Sequence, residues 1–174
     1  MHDVMEKAKG IQVLIFDVDG VLTDGTLYLT EGGEEIKAFN SRDGHGMKML
    51  KASGVELAII TARESRCVKL RAENLNISLL YQGEKNKLKV FESLVTKLGL
   101  DMSSCAYVGD DLIDLSVMTR CGLSICVPSA PALVKEHAHY VTNSEGGHGA
   151  VREVCEMIML AQGTLDVQLE KHLI

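Results

Sequence analysis

Six short apolar, β-prone runs alternate along this chain with segments of helical pattern, and that alternation restricts the fold more than any other feature. The runs cover residues 11–16, 55–60, 77–81, 105–108, 123–127 and a shorter one near 139–141. Most are too uniformly apolar to leave one face in water, as strands covered on both sides are. Helical patterns fill the gaps at about 46–52, 64–74, 87–98, 112–120, 131–137 and 150–162. Strand–helix alternation of this kind predicts an α/β fold of three layers, a doubly wound, Rossmann-like parallel sheet with right-handed crossovers and helices on both faces.

One segment breaks the rhythm. Residues 26–30 and 35–40 read as two short strands around Glu31-Gly32-Gly33-Glu34, a β-hairpin inserted after the first strand over about 26–40. Leu27, Leu29, Ile36 and Phe39 give it apolar surface that a lone hairpin cannot shelter, so a subunit interface is its expected use. The last helical pattern, 150–162, is apolar around most of its circumference, which predicts burial. Beyond Gly163 the tail, about 163–174, carries scattered leucines and is expected to fray.

At 174 residues, 46% of them hydrophobic, the chain can bury one substantial core and reads as one domain over 1–174. The net charge of −6, with no Lys/Arg-rich run, excludes an ordinary nucleic-acid binder. No signal-peptide pattern opens the chain and no apolar run reaches membrane-spanning length, so a cytoplasmic protein without a membrane partner is expected. Its 5 cysteines are scattered without a Cys-x-x-Cys pair, as buried thiols in a reducing compartment are.

Chemistry concentrates where strands end. The run 11–16 stops at Asp17-Val18-Asp19-Gly20, and two carboxylates at the edge of a central strand are costly to bury without a cation. Open α/β sheets bind ligands at that edge. Thr61 follows the second run, Lys87 heads a helical segment, and Gly109-Asp110-Asp111 with Asp114 follows the fourth. Singly these are a helix cap, a surface charge and a turn.

Together and in this order, Asp17-x-Asp19-Gly20-Val21, Thr61, Lys87 and Gly109-Asp110-Asp111 resemble the four motifs of the haloacid dehalogenase superfamily, most of whose members are phosphohydrolases. The resemblance covers nearly the whole chain. It implies that Asp17 is the nucleophile that becomes an aspartyl-phosphate and Asp19 the acid and base. Mg²⁺ is implied on Asp17, the Asp19 backbone carbonyl and Asp110, with Thr61 and Lys87 holding the phosphoryl oxygens. Asp111 and Asp114 are left as outer or alternative ligands. Ala62 stands where the superfamily often has glycine. Asp17 and Thr61 are 44 residues apart and Thr61 and Lys87 are 26 apart, so neither interval has room for a cap domain. In the capless subclass hairpins build a homotetramer and the tail helps cover an active site, so a site completed by a neighbouring subunit is implied.

Longer stretches narrow the resemblance. Asp17-Val18-Asp19-Gly20-Val21-Leu22-Thr23-Asp24-Gly25, Phe39-Asn40-Ser41-Arg42-Asp43-Gly44-His45-Gly46, Tyr81-Gln82-Gly83, Val108-Gly109-Asp110-Asp111-Leu112-Ile113-Asp114 and Gly146-Gly147-His148-Gly149-Ala150-Val151-Arg152-Glu153 are similar to those of phosphatases acting on 3-deoxy-D-manno-octulosonate (KDO) 8-phosphate. That activity yields the eight-carbon sugar acid that Gram-negative bacteria activate for lipopolysaccharide. The resemblance assigns a phosphorylated sugar acid to a loop of Asn40, Ser41, Arg42, Asp43 and Gly44 and to Lys48. Arginine suits bidentate capture of such anions, which singles out Arg63 and Arg71. Eight positions apart, they fall about 80° around one helix, broadly on the same side. Relatives acting on nine-carbon keto-deoxy acid 9-phosphates are expected to carry an acidic residue at position 63, so Arg63 leans to the eight-carbon acid. A phosphoryl-accepting receiver shares the residue types but places its acceptor aspartate on a middle strand, unlike this order. Intact Asp17, Asp19, Thr61, Lys87 and Asp110 also disfavour a silent oligomerisation module.

Overall fold

The computed structural model of the protein describes residues 1–173. Its first element, α1 (His2–Lys9), was not expected: only Val4 and Ala8 turn inward, too sparse a pattern to read in a terminal segment. Then come β1 (Val13–Phe16), the hairpin strands β2 (Tyr28–Leu29) and β3 (Glu35–Ile36), and α2 (Ser41–Ala52). β4 (Glu56–Ile60), α3 (Arg66–Asn74), β5 (Leu79–Tyr81) and α4 (Lys87–Leu98) follow. β6 (Cys105–Gly109), a 3₁₀ turn at Leu112–Asp114, α5 (Leu115–Met118), β7 (Leu123–Cys126), α6 (Ala132–Glu136) and β8 (Tyr140–Val141) complete the sheet region. The chain then runs through α7 (Ala150–Ala161) and α8 (Leu165–Glu170).

Six strands form one parallel sheet in the order β5-β4-β1-β6-β7-β8. Side chains alternate between its faces. Leu14 and Phe16 pack on α2, α3 and α7 through Leu50, Val68 and Val154, whereas Val13 and Ile15 meet Phe91 and Leu94 of α4 and Val117 of α5. The predicted doubly wound α/β architecture is present, and among the described residues no cap interrupts the compact body. Register then places the chemistry: Phe16 lies opposite Ile59 on one side and Val108 on the other. The residues that follow all three therefore leave the sheet together at its carboxyl edge.

The hairpin forms where expected but pairs only two residues per strand, Tyr28 with Ile36 and Leu29 with Glu35. Leu27, Tyr28, Leu29 and Ile36 remain exposed, Leu29 at 66%.

Three expectations need correction. The loop assigned to 40–44 is not one: the Asn40 side chain accepts the N–H groups of Arg42 and Asp43, so α2 begins at Ser41 and its first turn contains those residues. Likewise α3 starts at Arg66 after Ser65, which leaves Arg63 in the preceding turn, so the helical-wheel pairing of Arg63 with Arg71 fails. The tail does not fray from Gly163 onward. It forms α8 against α7, with Gln168 buried and the His172 ring 4.9 Å from that of His45.

Candidate active site

Asp17 follows the central strand directly and is almost fully buried. Its Oδ1 accepts the Val18 N–H at 2.7 Å, and its Oδ2 lies 2.8 Å from the Lys87 ammonium. Lys87 opens α4 with only 1% of its side chain exposed, and its Nζ also reaches Asp114 Oδ1 at 2.7 Å and the Tyr107 hydroxyl at 3.3 Å. Burial disfavours the ammonium, but the charges of Asp17 and Asp114 more than offset this and hold it charged above its usual range.

Asp114 is fully buried and saturated. Oδ1 takes the Lys87 ammonium and the Tyr107 O–H at 2.6 Å, while Oδ2 accepts the N–H groups of Asp110 at 2.9 Å and Asp111 at 3.1 Å. Oxygens of Asp17, Asp110 and Asp114 lie within 4.8 Å of one another. Each Asp114 oxygen already meets two protein donors, whereas each Asp17 oxygen meets one, so Asp17 and Asp110 keep more lone-pair capacity for a cation. Asp114 instead orients the Asp110 turn and anchors Lys87.

The crowding has an electrostatic signature. Burial, then the Asp114 charge, pushes the Asp17 carboxyl up from 3.8 to about 6, Lys87 offsetting only part of it. Burial, then the charges of Asp17 and Asp114, pushes Asp110 from 3.8 to about 7. Like charges this close favour binding either a proton or a hard cation, which the oxygen donor set fits. Gly20 enforces the approach: it takes a φ of +88°, and a Cβ there would collide with the Asp110 carboxylate. A Cβ at Gly146 would in turn strike the Gly20 carbonyl, so the second glycine-rich loop braces the first.

Asp17, Asp19, Thr61, Arg63 and Asp110 line one cleft of about 190 Å³ at the carboxyl edge of the sheet. Thr61 is buried, with its Oγ1 accepting the Arg63 N–H at 3.4 Å. Arg63, half exposed, spans Glu35 at 2.8 Å and Asp19 at 3.6 Å. Asp19 is also ion-paired with Lys37.

The remaining residues expected at the substrate lie elsewhere in the protomer. Asn40, Asp43, Gly44 and Arg71 line a separate crevice of only about 10 Å³. Arg71 donates to the Asn40 carbonyl at 3.0 Å and sits over the Phe39 ring, while Asp43 caps α7 by accepting the Arg152 N–H at 2.8 Å. Ser41, Arg42 and Lys48 are exposed on α2. Reading the sequence missed the parts played by Tyr107 and Lys37 and left Asp114 open between an outer and an alternative ligand. A tyrosine inside an otherwise apolar strand was the available signal, because a buried hydroxyl needs a partner.

The profile of the haloacid dehalogenase-like hydrolases matches residues 76–154. The chain is 52% identical over 164 residues to the KDO 8-phosphate phosphatase KdsC of Escherichia coli K12, covering 94% of this chain and 87% of that one. The chain belongs to the KDO 8-phosphate phosphatase family.

Solved members of this phosphatase family superpose closely. The Yersinia pestis enzyme shares 48% identity at a TM-score of 0.93, over 94% of this chain and 89% of that one. The Moraxella catarrhalis KDO 8-phosphate phosphatase, solved with a magnesium ion, a phosphate ion and a KDO molecule, shares 44% identity at a TM-score of 0.97, over 99% of each chain. Among the described residues of this family member, no helix is long and apolar enough to cross a membrane.

Proposed function

We propose that the protein hydrolyses KDO 8-phosphate to KDO and phosphate through an aspartyl-phosphate on Asp17, within lipopolysaccharide synthesis. The observation that carries this reading is the strand-end cleft, in which Asp17 meets the buried Lys87 ammonium at 2.8 Å beside Asp110 and Thr61. A carboxylate oxygen of Asp17 attacks phosphorus, the bond to the sugar oxygen breaks, and Asp19 delivers a proton to the departing alkoxide. Asp19 then takes a proton from water, which attacks the same phosphorus, releases phosphate and restores Asp17. Thr61 and Lys87 hold the non-bridging oxygens as charge develops on them. Mg²⁺ bound by Asp17, Asp110 and the backbone carbonyl of Asp19 would supply the further neutralisation that lets an anionic nucleophile meet a phosphate dianion.

The cleft suits the phosphoryl end of the substrate, leaving the sugar acid at its rim. Arg63 stands there, placed to receive the carboxylate of an eight-carbon acid. Asn40, Ser41, Arg42, Asp43, Gly44, Lys48 and Arg71 do not line the cleft of their own chain, so any part they take in binding comes from a neighbouring copy. The exposed apolar hairpin supports such an assembly, a homotetramer of one-domain cytoplasmic subunits. The test is Mg²⁺-dependent phosphate release from KDO 8-phosphate beside a nine-carbon keto-deoxy acid 9-phosphate, with Asp17→Asn as control. Preference for the eight-carbon ester, lost in the variant, is the expected result. Preference for the nine-carbon ester would keep the mechanism and overturn the Arg63 argument.

A further inference from the structure

Lys37 stands just past β3 on the otherwise solvent-facing hairpin, yet its side chain is only 2% exposed. Its ammonium is ion-paired with Asp19 Oδ1 and lies 3.1 Å from Glu35 Oε1. Arg63 holds the other Asp19 oxygen, Oδ2, at 3.6 Å and binds the same Glu35 oxygen at 2.8 Å. Asp19 is thus gripped at both oxygens, with Glu35 tying the two cations together. Burying a lysine ammonium is costly, and nothing about covering the hairpin's apolar residues requires it, since these remain exposed. Arg63 is 48% exposed, so it can exchange these partners for substrate at the cleft rim, whereas Lys37 is confined.

We propose that Lys37 is a positioning residue for the phosphatase reaction: it aims the Asp19 carboxylate at the leaving oxygen and keeps it there when Arg63 turns to the substrate. The inference rests on Asp19 being the acid and base, and it makes the hairpin part of the chemistry as well as of assembly. Its ammonium also offsets carboxylate charge beside an incoming phosphate dianion. A residue acting this way matters most when the departing group needs a proton. A sugar alkoxide does; p-nitrophenolate does not.

Lys37→Met, Lys37→Arg, Glu35→Gln and Asp19→Asn should be compared on KDO 8-phosphate and on p-nitrophenyl phosphate, with the pre-steady-state burst of p-nitrophenolate read separately. Loss of a general acid is typically about 10²–10⁴-fold, and its misalignment should cost at least about tenfold. Lys37→Met is expected to lower kcat on the sugar phosphate by that factor with KM within about twofold and the burst rate nearly unchanged. Lys37→Arg should recover most of the loss, and Glu35→Gln, which keeps the ammonium but removes its anchor, should show a weaker loss of the same pattern. Equal loss of the burst and of sugar-phosphate turnover would mark a merely structural role and overturn the inference. So would unchanged sugar-phosphate turnover in Lys37→Met while Asp19→Asn abolishes it. If Asp19→Asn itself spares that turnover, the acid/base reading is what fails, and the inference falls with it.

Discussion

At the scale of residues, the centre is a balance of buried charges. Lys87 serves two carboxylates, and removing it leaves both uncompensated in a dry environment. Lys87→Met is therefore expected to destabilise the metal-free protein by about 3–5 kcal/mol as well as abolish turnover, which chemical denaturation and an activity assay check together. Tyr107→Phe removes one donor to Asp114 and should cost about 1–2 kcal/mol with a smaller loss of rate. The raised carboxyls make a pH prediction. Asp17 and Asp110 titrate at about 6 and about 7 when folded, against 3.8 for an unperturbed aspartate. From about pH 4 to about 7 the unfolded chain gives up these protons first, so the metal-free fold loses their contribution to stability as pH rises. Thermal melts in chelator should show this slope, Mg²⁺ should abolish it, and Asp110→Asn should reduce it. The gathering of Asp17, Asp19, Thr61 and Lys87 at one sheet edge was legible in the sequence because each follows or faces a strand end. Asp114 was legible only as an acid near the site, because whether its oxygens are free for a cation is decided by partners 7 and 27 residues away.

Among the elements, the strands were readable almost to their ends because burial on both faces leaves an unbroken apolar run. Helix starts were less so. Asn40 draws α2 back to Ser41 by accepting two backbone N–H groups, an interaction that apolar periodicity does not register. Asn40→Ala is expected to cost about 1 kcal/mol, seen as a lowered denaturation midpoint, with the activity of the refolded enzyme retained if the residue serves only as a cap. Gly147 and Glu153, within a stretch similar to those of the phosphatases, act here as braces. Glu153 accepts the Tyr140 hydroxyl at 2.7 Å and the N–H groups of Asn143 and Ser144 at 2.8 and 3.0 Å, while Gly147 donates to the Val21 carbonyl at 3.0 Å. Family signatures of this kind record backbone fit to the Asp17–Thr23 turn as much as contact with a substrate.

In the whole molecule, three layers bring Asp17, Asp19, Thr61, Arg63 and Asp110 to one edge of one sheet, and the hairpin beside that edge leaves Leu27, Tyr28, Leu29 and Ile36 exposed. Leu29→Arg is expected to break the proposed tetramer, which sedimentation would register, and to lower sugar-phosphate turnover if a neighbour completes the rim. Retained turnover in a monomer would locate the whole rim within one protomer. The residues expected to bind the sugar were the least legible part, since Asn40, Asp43, Gly44 and Arg71 line a separate crevice of their own chain. Absence of a cap has a kinetic corollary. Capped enzymes of comparable chemistry must swing a domain aside in each cycle, and that step drags solvent with it. Among the described residues no such door lies between Asp17 and Lys87, so kcat is expected to be nearly indifferent to the viscosity of the medium, as a rate set by the making and breaking of bonds to phosphorus would be.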